Sequence, residues 1–266
     1  MQVIWKGNQH TNSSSRGGMV PCAIVDHISA GSMGSMDNWF TDPSNTVSSA
    51  HFGVSKTGAI HQYVPIDRMA WANGLTAAQI PNAPAQIVRD MGVNPNLYSV
   101  SIEHEGTDGA LTEAQFTASV QLHAYIRDFI LDKWGRRFPL DKYHVIGHCH
   151  INPVGKPNCP GPKFPWDRLY QALSEVDNEM ELLAEIEKLR NNQKVILDTL
   201  DVHIQHIYDL QTELRAIKNK ESMPAIPEWA AAAVDAAKCK GLIDTPAGGS
   251  YDFYRLLTIL NRKGLI

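Results

Sequence analysis

The hydrophobic and polar positions of the first 150 residues form short apolar or alternating runs separated by turn residues. Residues 20–28 (VPCAIVDHI) make an apolar run typical of a buried strand. Residues 50–64 alternate around a Gly-containing turn at 56–58, which predicts a hairpin. Residues 98–105 alternate as another strand, and 143–147 predict a last short one. This half of the chain therefore contains several short strands.

One long amphipathic segment separates the last two of these strands. Residues 111–134 carry apolar side chains at helical spacing, and Gly135 follows them. Thr112 and Gln115 have the spacing of a capping box at the start of this helix. A second helix is predicted to begin at 164–167, after a loop rich in Pro and Gly. Strands interleaved with helices predict a compact α/β sheet.

The pattern changes at Leu182, where apolar residues begin to recur at alternating intervals of four and three. The eleven seam positions are Leu182, Ile186, Leu189, Gln193, Ile196, Leu200, His203, Ile207, Leu210, Leu214 and Ile217. Such a repeat predicts a coiled coil and a homo-oligomer formed through residues 182–217. The alternative is that this helix folds back onto the first domain. The polar remainder of the helix favours self-association.

The last part of the chain predicts two short helices. Two prolines in 223–227 end the long helix, a helix follows over 228–240, and Ser250 is placed to cap another over 251–261. Two helices in about 40 residues form a marginal core on their own. The predicted domains are therefore an α/β domain, a helical stalk and a small helical C-terminal domain, over residues 1–172, 173–222 and 223–266.

Composition narrows the classes of protein that fit. The 266 residues carry 24 Lys and Arg against 28 Asp and Glu, and the acidic excess lies beyond residue 170. No cluster of basic residues suggests binding to nucleic acid, and no apolar run reaches the ~18 residues of a membrane span. Residues 1–7 lack the charged and apolar stretches of a signal peptide, so we expect synthesis in the cytoplasm without one.

Two histidines, one cysteine and one carboxylate form the candidate chemistry. His27 ends an apolar strand, His148 follows another, and Cys159 lies in the Pro/Gly-rich loop. Three nitrogen and sulfur ligands suit a zinc ion whose fourth position stays open to water. Glu103, on a candidate central strand, is placed to move the proton that hydrolysis requires. A single histidine is more often structural, so the argument depends on the four residues together.

Ordered segments of the chain resemble the type 2 family of N-acetylmuramoyl-L-alanine amidases, which is related to peptidoglycan recognition proteins and to T7 lysozyme. The matching segments are 24–27 (IVDH), 49–64, 70–74 (AWANG), 98–103 (YSVSIE), 145–148 (VIGH) and 156–162 (KPNCPGP). The resemblance covers residues 18–172. It implies a mixed central sheet flanked by helices and a phage-endolysin type of enzyme.

The resemblance implies a role for each matching residue. His27, His148 and Cys159 would bind one Zn²⁺ per chain. Glu103 would activate the attacking water and protonate the leaving amine, and Lys156 would stabilise the oxyanion. Many relatives have Asp in place of Cys159, and their lysine commonly lies two residues before that ligand rather than three.

Other residues near these motifs have less specific expectations. Trp71 and His51 are predicted substrate-binding residues, although a tryptophan is at least as often part of a core. His104 should point away from Glu103 because side chains alternate along a strand. His150 is a less favoured alternative to His148 as a ligand.

The implied activity is hydrolysis of the amide bond between N-acetylmuramic acid and L-alanine in peptidoglycan. The enzyme would act on the cell wall after release from the cytoplasm. The alternatives are a catalytically silent peptidoglycan-binding module and an oligomeric wall-binding scaffold. Under any of these functions, residues 223–266 would serve as a wall-binding segment or as an assembly cap for the stalk.

Overall fold

A computed structural model describes residues 1–266, which divide into two compact units, Met1–Ala184 and Glu185–Ile266. The strands are β1 Val3–Trp5, β2 Ser13–Ser15, β3 Ala23–Ile28, β4 Phe52–Val54, β5 Ile60–Gln62, β6 Arg68–Ala70, β7 Ser99–His104 and β8 Val145–Gly147. The helices are α1 Met33–Thr41, α2 Gln86–Met91, α3 Glu113–Trp134, α4 His148–Ile151, α5 Trp166–Glu221, α6 Ala231–Cys239 and α7 Tyr251–Arg262. All predicted strands are present, whereas the short elements β1, β2, β6, α1, α2 and α4 were not predicted.

Six strands form one mixed sheet in the order β1-β5-β4-β7-β3-β8, and β2 and β6 form a separate antiparallel pair. The predicted hairpin is β4 and β5, which pair antiparallel, whereas the other neighbours in the large sheet are parallel. The predicted α/β class with a mixed sheet flanked by helices is therefore confirmed. The carboxyl ends of β3, β7 and β8 lie at one edge, where open α/β sheets bind ligands.

The sheet is buried on both faces, which explains why β3 is apolar along most of its length. Ile24 and Val100 belong to the core beneath α3 and the start of α5. Ala23 and Val25 face the opposite core, which includes residues of α2. These two cores hold β3 and β7 rigidly in register, so their ends can position a site.

Helix α3 begins and ends where the sequence predicts, but its first turn differs. The Thr112 hydroxyl accepts a hydrogen bond from the Gln115 backbone N–H at 3.1 Å, and Gly135 ends the helix in the left-handed conformation. The predicted capping box is incomplete because the Gln115 side chain does not turn back to Thr112. Its Nε2 donates instead to the carbonyls of Val54 and Glu105, which ties the helix to the sheet.

Helix α5 continues without interruption through the predicted domain boundary at residue 172. The Arg127 guanidinium pairs with Asp177, and Arg137 pairs with Glu181, so the helix beyond that boundary still belongs to the first unit. All eleven seam positions from Leu182 to Ile217 are exposed on the single chain. No helix of the structure has the length and apolar character that crossing a membrane requires.

Helices α6 and α7 share a small core at the end of the chain. Val234, Tyr254 and Leu257 are among its buried residues, and the Tyr254 hydroxyl donates to the Pro246 carbonyl at 2.7 Å. The Ser250 hydroxyl caps α7 by accepting from the Phe253 N–H at 3.1 Å, as the sequence predicts. Most of the apolar contact available to these two short helices is therefore between them.

Candidate metal centre

Three side chains that could bind a metal meet at the carboxyl edge of the sheet. His27 lies near the end of β3, His148 begins α4 directly after β8, and Cys159 lies in the loop before α5. Their donor atoms all lie within 4.8 Å of one another. The two imidazole centroids are 4.5 Å apart with an interplanar angle of 64°. The structure thus brings together the three predicted ligands from distant parts of the chain.

Backbone contacts hold the Cys159 loop against the strand ends. The Ile28 N–H donates to the Cys159 Sγ at 3.4 Å, and the Cys149 N–H donates to the Cys159 carbonyl at 2.8 Å. A side chain at Gly147 would place its Cβ 2.8 Å from Pro160 and 2.9 Å from the Trp166 ring. A glycine is therefore required directly before His148 if the loop is to approach this closely.

The chemistry of the donor set fits zinc. Burial lowers the pKa of His27 well below its usual value and that of His148 to about 4, so both imidazoles are neutral. Burial also raises the pKa of the Cys159 thiol to about 12. A divalent cation would reverse this penalty by stabilising the thiolate. Two neutral imidazoles and one thiolate are ligands that Zn²⁺ accepts, with room for a fourth.

Glu103 lies beside this donor set because β3 and β7 pair in parallel. Register places His27 opposite Glu103, and the Glu103 Oε1 is 3.8 Å from the His27 Nδ1. Its side chain is 16% exposed, and its Oε2 has no hydrogen-bond partner. Burial raises the pKa of Glu103 to about 7, an effect that the nearby Lys156 opposes. An unpaired carboxylate oxygen with this pKa can both accept and donate a proton near neutral pH.

The site opens into a cleft of about 900 Å³. Lys156 and Trp71, both predicted site residues, line it together with Glu103 and the three donor side chains. The Trp71 indole N–H donates to the Ser14 hydroxyl at 3.0 Å, which fixes the ring in the wall of the cleft. Trp71 thus lies in the wall of the cleft, and its contact with a substrate stays a prediction.

His51 is the exception among the predicted site residues. It is 1% exposed and does not line the cleft. Its Nδ1 lies 3.0 Å from the Ser101 Oγ, and its Nε2 lies 2.9 Å from the Arg16 guanidinium. The expected substrate contact is therefore wrong, because the His51 imidazole lies in the core. There it contacts Ser101 of β7 and the Arg16 guanidinium.

The neighbouring histidines have structural positions. His104 lies on the face of β7 opposite Glu103, as alternation predicts, and its Nδ1 is 3.0 Å from the His27 carbonyl. His150 accepts a hydrogen bond from the Gly147 N–H at 3.0 Å, so it does not replace His148 in the donor set. Trp39 was not predicted to be a site residue but lines the cleft. Trp39 lies on α1, the first helix after the strand that carries His27, and this place in the chain is the feature from which its role could have been predicted.

Comparison with known families agrees with this geometry. The profile of the family described as N-acetylmuramoyl-L-alanine amidase matches residues 17–162, over half of the chain. The chain belongs to this family. Its matched region contains every donor of the candidate centre as well as Glu103.

Curated relatives with the same activity in their names align with this region. The chain is 35% identical over 135 residues to the 1,6-anhydro-N-acetylmuramyl-L-alanine amidase AmpD of Salmonella typhimurium, covering 50% of this chain and 61% of that protein. The AmpD of Escherichia coli is 35% identical over 128 residues, covering 48% and 59%. The chain thus spans about three fifths of the length of these relatives.

Solved structures that match this chain include an AmpD derivative and an amidase named LysC. A selenomethionine AmpD derivative superposes with a TM-score of 0.48 and 26% identity, covering 64% of this chain and 93% of that one. The N-acetylmuramoyl-L-alanine amidase LysC from Clostridium intestinale has a TM-score of 0.42 and 16% identity, covering 65% and 98%.

Proposed function

We propose that this protein hydrolyses the amide bond between N-acetylmuramic acid and L-alanine in peptidoglycan, with zinc as its cofactor. The observation that carries the proposal is the unpaired Glu103 carboxylate beside the His27, His148 and Cys159 donors at the floor of an open cleft. Family membership and the names of the AmpD relatives support the same reaction. A silent binding module would have no use for an unpaired, buried carboxylate at this position, because its burial costs free energy.

His27, His148 and Cys159 would hold the ion. When bound, zinc would polarise the scissile carbonyl and acidify a water molecule. Glu103 takes a proton from the attacking water at its unpaired oxygen, so that a new C–O bond forms at the carbonyl carbon. It then gives that proton to the alanine nitrogen as the C–N bond breaks. The raised pKa of Glu103 suits both steps, and no covalent enzyme intermediate is needed.

Lys156 is proposed to stabilise the negative charge that develops on the carbonyl oxygen. It lines the cleft, and its positive charge already acts on Glu103 and on both histidines. Lys156 is exposed in the open cleft, and its positive charge would stabilise the oxyanion more strongly once bound substrate displaces water from around it. The Trp71 ring would form a wall against which the substrate lies.

We further propose that the natural substrate is the insoluble wall, as for an endolysin. The cleft is open where Trp39 and Val47 lie exposed, so a polymer can enter from the side. The AmpD relatives are named for a 1,6-anhydro sugar, which suggests a soluble alternative. Purified walls and soluble anhydro-muropeptides are therefore both needed as substrates in the test.

We expect digestion of purified walls to release peptides with free L-alanine N-termini and to leave the glycan strands intact. Mass spectrometry of the products identifies the bond that is cut. New reducing sugar ends, or amines at other peptide positions, would contradict the amidase proposal. Hydrolysis of soluble muropeptides alone would retain the amidase proposal and exclude the lytic one. Incubation with a chelator serves as the control and should abolish product formation in either case.

The exposed seam of α5 supports a second proposal, assembly of several copies of this chain. Every apolar seam residue between Leu182 and Ile217 is at least 36% exposed, which is unfavourable for a helix that stays alone in water. The regular interval of four and three residues matches the repeat of a supercoiled partner helix. A second copy offers the same repeat over the same length. We therefore propose that residues 182–217 form a homo-oligomeric coiled coil.

The apolar stripe on this helix is wider than two strands require. With Ile186 at heptad position a, Leu197 and Ile204 fall at position e, beside the seam, and they are 53% and 49% exposed. A two-stranded coiled coil leaves much of position e in water, whereas a larger bundle buries it. Val195 and Val202 fall at position c, on the far side of the helix. We therefore propose more than two copies.

Sedimentation equilibrium tests both parts of the assembly proposal. We expect the wild-type chain to sediment as a trimer or larger oligomer, and the double variant Leu197→Gln, Ile204→Gln to form smaller species. The matched variant Val195→Gln, Val202→Gln removes similar apolar surface at position c and should retain the wild-type mass. A monomeric wild type would contradict the assembly, and a dimer would contradict the number of copies.

A further inference from the structure

Trp39 exposes an apolar ring to the cleft although the orientation of this ring is fixed. The residue lies on α1, is 46% exposed, and lines the cleft that opens from the candidate metal centre. Its indole N–H donates to the Ser48 hydroxyl at 2.9 Å, so the ring cannot turn away without breaking this hydrogen bond. A large apolar side chain held at the water-exposed wall of a cleft is typical of a ligand-binding surface.

A buried asparagine fixes the loop that holds this ring. Asn45 is 3% exposed, and its Nδ2 donates to the Trp39 and Ser48 carbonyls, both at 2.9 Å. Its Oδ1 accepts from the backbone N–H groups of Val47 and Ser48 at 3.1 and 3.2 Å. The Asn12 Nδ2 also donates to the Ser48 carbonyl, at 3.1 Å. The Trp39 ring is therefore preorganised, which lowers the entropic cost of binding a ligand against it.

The ring lies on a wall of the cleft that leads away from the metal centre. Residues 28–31, which directly follow His27, line the cleft just before α1 begins. The same wall continues at helical spacing through Ser35, Met36, Trp39 and Phe40. Trp39 lies six residues beyond Met33, the first residue of α1, which is about 9 Å along the helix axis. The indole is therefore placed to contact a part of the substrate beyond the scissile bond.

The chemistry of this wall suits a sugar ring better than a peptide. Its polar groups are already paired, since the Ser35 hydroxyl donates to the Ser32 carbonyl at 2.6 Å and the indole N–H is bonded to Ser48. Val47, which is 70% exposed, adds apolar surface. Such a wall offers little hydrogen bonding to the backbone of an extended peptide. A β-linked N-acetylhexosamine presents C–H groups on both faces of its ring, so it can pack on an indole while its hydroxyls stay in water.

We propose that Trp39 is a specificity-determining residue: its indole stacks on a sugar of the glycan strand next to the N-acetylmuramic acid whose amide is cut. This inference rests on the proposed amidase function and names the part of the wall that this side of the cleft accepts. Another part of the lining carries Asn152, Lys156 and Asn158, whose polar groups suit the amides and carboxylates of a stem peptide. A substrate with several sugars therefore gains a contact that a single-sugar substrate lacks.

Binding of peptide-free glycan strands tests this contact without any hydrolysis. Replacing Trp39 with alanine in the full chain should weaken strand binding about 10-fold in isothermal titration calorimetry, a usual effect of truncating a tryptophan anchor. Trp39→Tyr keeps an aromatic face and should retain most of the affinity. Trp5→Ala removes another tryptophan, 54% exposed on β1 and outside the cleft lining, and should bind as the wild type does. Equal affinities of the wild type and the Trp39→Ala variant would overturn the proposal.

Hydrolysis of two substrates distinguishes stacking on the glycan from a general effect of the substitution. For Trp39→Ala, kcat/KM on glycan strands that carry stem peptides should fall about 10-fold more than kcat/KM on a soluble muramyl peptide with one sugar. Equal losses on both substrates would place the indole against the muramyl peptide itself and overturn the glycan assignment. An inactive wild type whose strand binding still depends on Trp39 would contradict the amidase proposal and support this contact.

Discussion

Replacing Glu103 with glutamine should reduce the rate of amide hydrolysis by about 10²- to 10⁴-fold, the usual contribution of a positioned general acid–base group. Glutamine has nearly the same shape but can neither accept the water proton nor return one to the leaving nitrogen. The three donor side chains are untouched by the substitution. Zinc content and substrate binding should therefore remain close to those of the wild type.

The measurement pairs initial rates on purified walls with zinc content determined by atomic emission. Glu105 supplies a matched control because it follows the same strand, and its Oε2 accepts from the Lys56 N–H at 2.8 Å, which a glutamine oxygen can also do. Glu105→Gln should retain full activity. Normal hydrolysis by the Glu103→Gln variant would exclude the proposed proton transfer, and loss of zinc along with activity would indicate a structural role for Glu103.

The elements around this site were predictable because their signals are local. The apolar run ending at His27 and the alternation ending at Glu103 each predict a strand by themselves. The pairing of those strands depends on contacts between residues about 75 positions apart, and nothing in either segment specifies it. The expected proximity of His27, Glu103 and Cys159 therefore came from the family resemblance, and the parallel register explains it physically.

The residues that the sequence did not predict owe their environment to tertiary packing. His51 stands in an alternating hairpin motif that also suits a surface histidine, and only packing against Ser101 and Arg16 places it in the core. Such cross-strand hydrogen bonds leave no periodic signal in the chain.

Helix α5, by contrast, was predictable from a local pattern, but the position of the domain boundary within it was not. Its helical structure over residues 182–217 was predictable because the spacing of apolar residues is a local property, whereas the coiled coil itself stays a prediction. The end of the first domain was not predictable, since the helix continues unchanged through residue 172. Tertiary contacts, such as the pairs Arg127–Asp177 and Arg137–Glu181, show that the following turns still belong to the first unit.

Arg16 should make a large single-residue contribution to the stability of the first unit. Arg16 lies in a polar segment whose sequence is typical of a loop, yet the residue is only 3% exposed. Its guanidinium donates to four backbone carbonyls at 2.8–3.1 Å and contacts the His51 Nε2; the carbonyls are those of Ile66, Asn96, Leu97 and Ser99. No carboxylate pairs with it, and burial lowers its pKa to about 9. Its role is therefore to satisfy buried acceptors rather than to form a salt bridge.

Arg16→Met should lower the free energy of unfolding by about 3–5 kcal/mol, because methionine fills part of the volume but leaves these buried carbonyls unpaired. Urea titration followed by tryptophan fluorescence reports on the correct unit, since five of the six tryptophans lie in residues 1–184. A chelator in the buffer removes any contribution from metal binding. Arg89, which is exposed and donates to the Ala83 and Pro84 carbonyls, provides the control. Arg89→Met should change the urea midpoint of unfolding little, because water can replace the hydrogen bonds of an exposed arginine. Equal effects of the two substitutions would contradict the proposed role of Arg16 in satisfying buried acceptors.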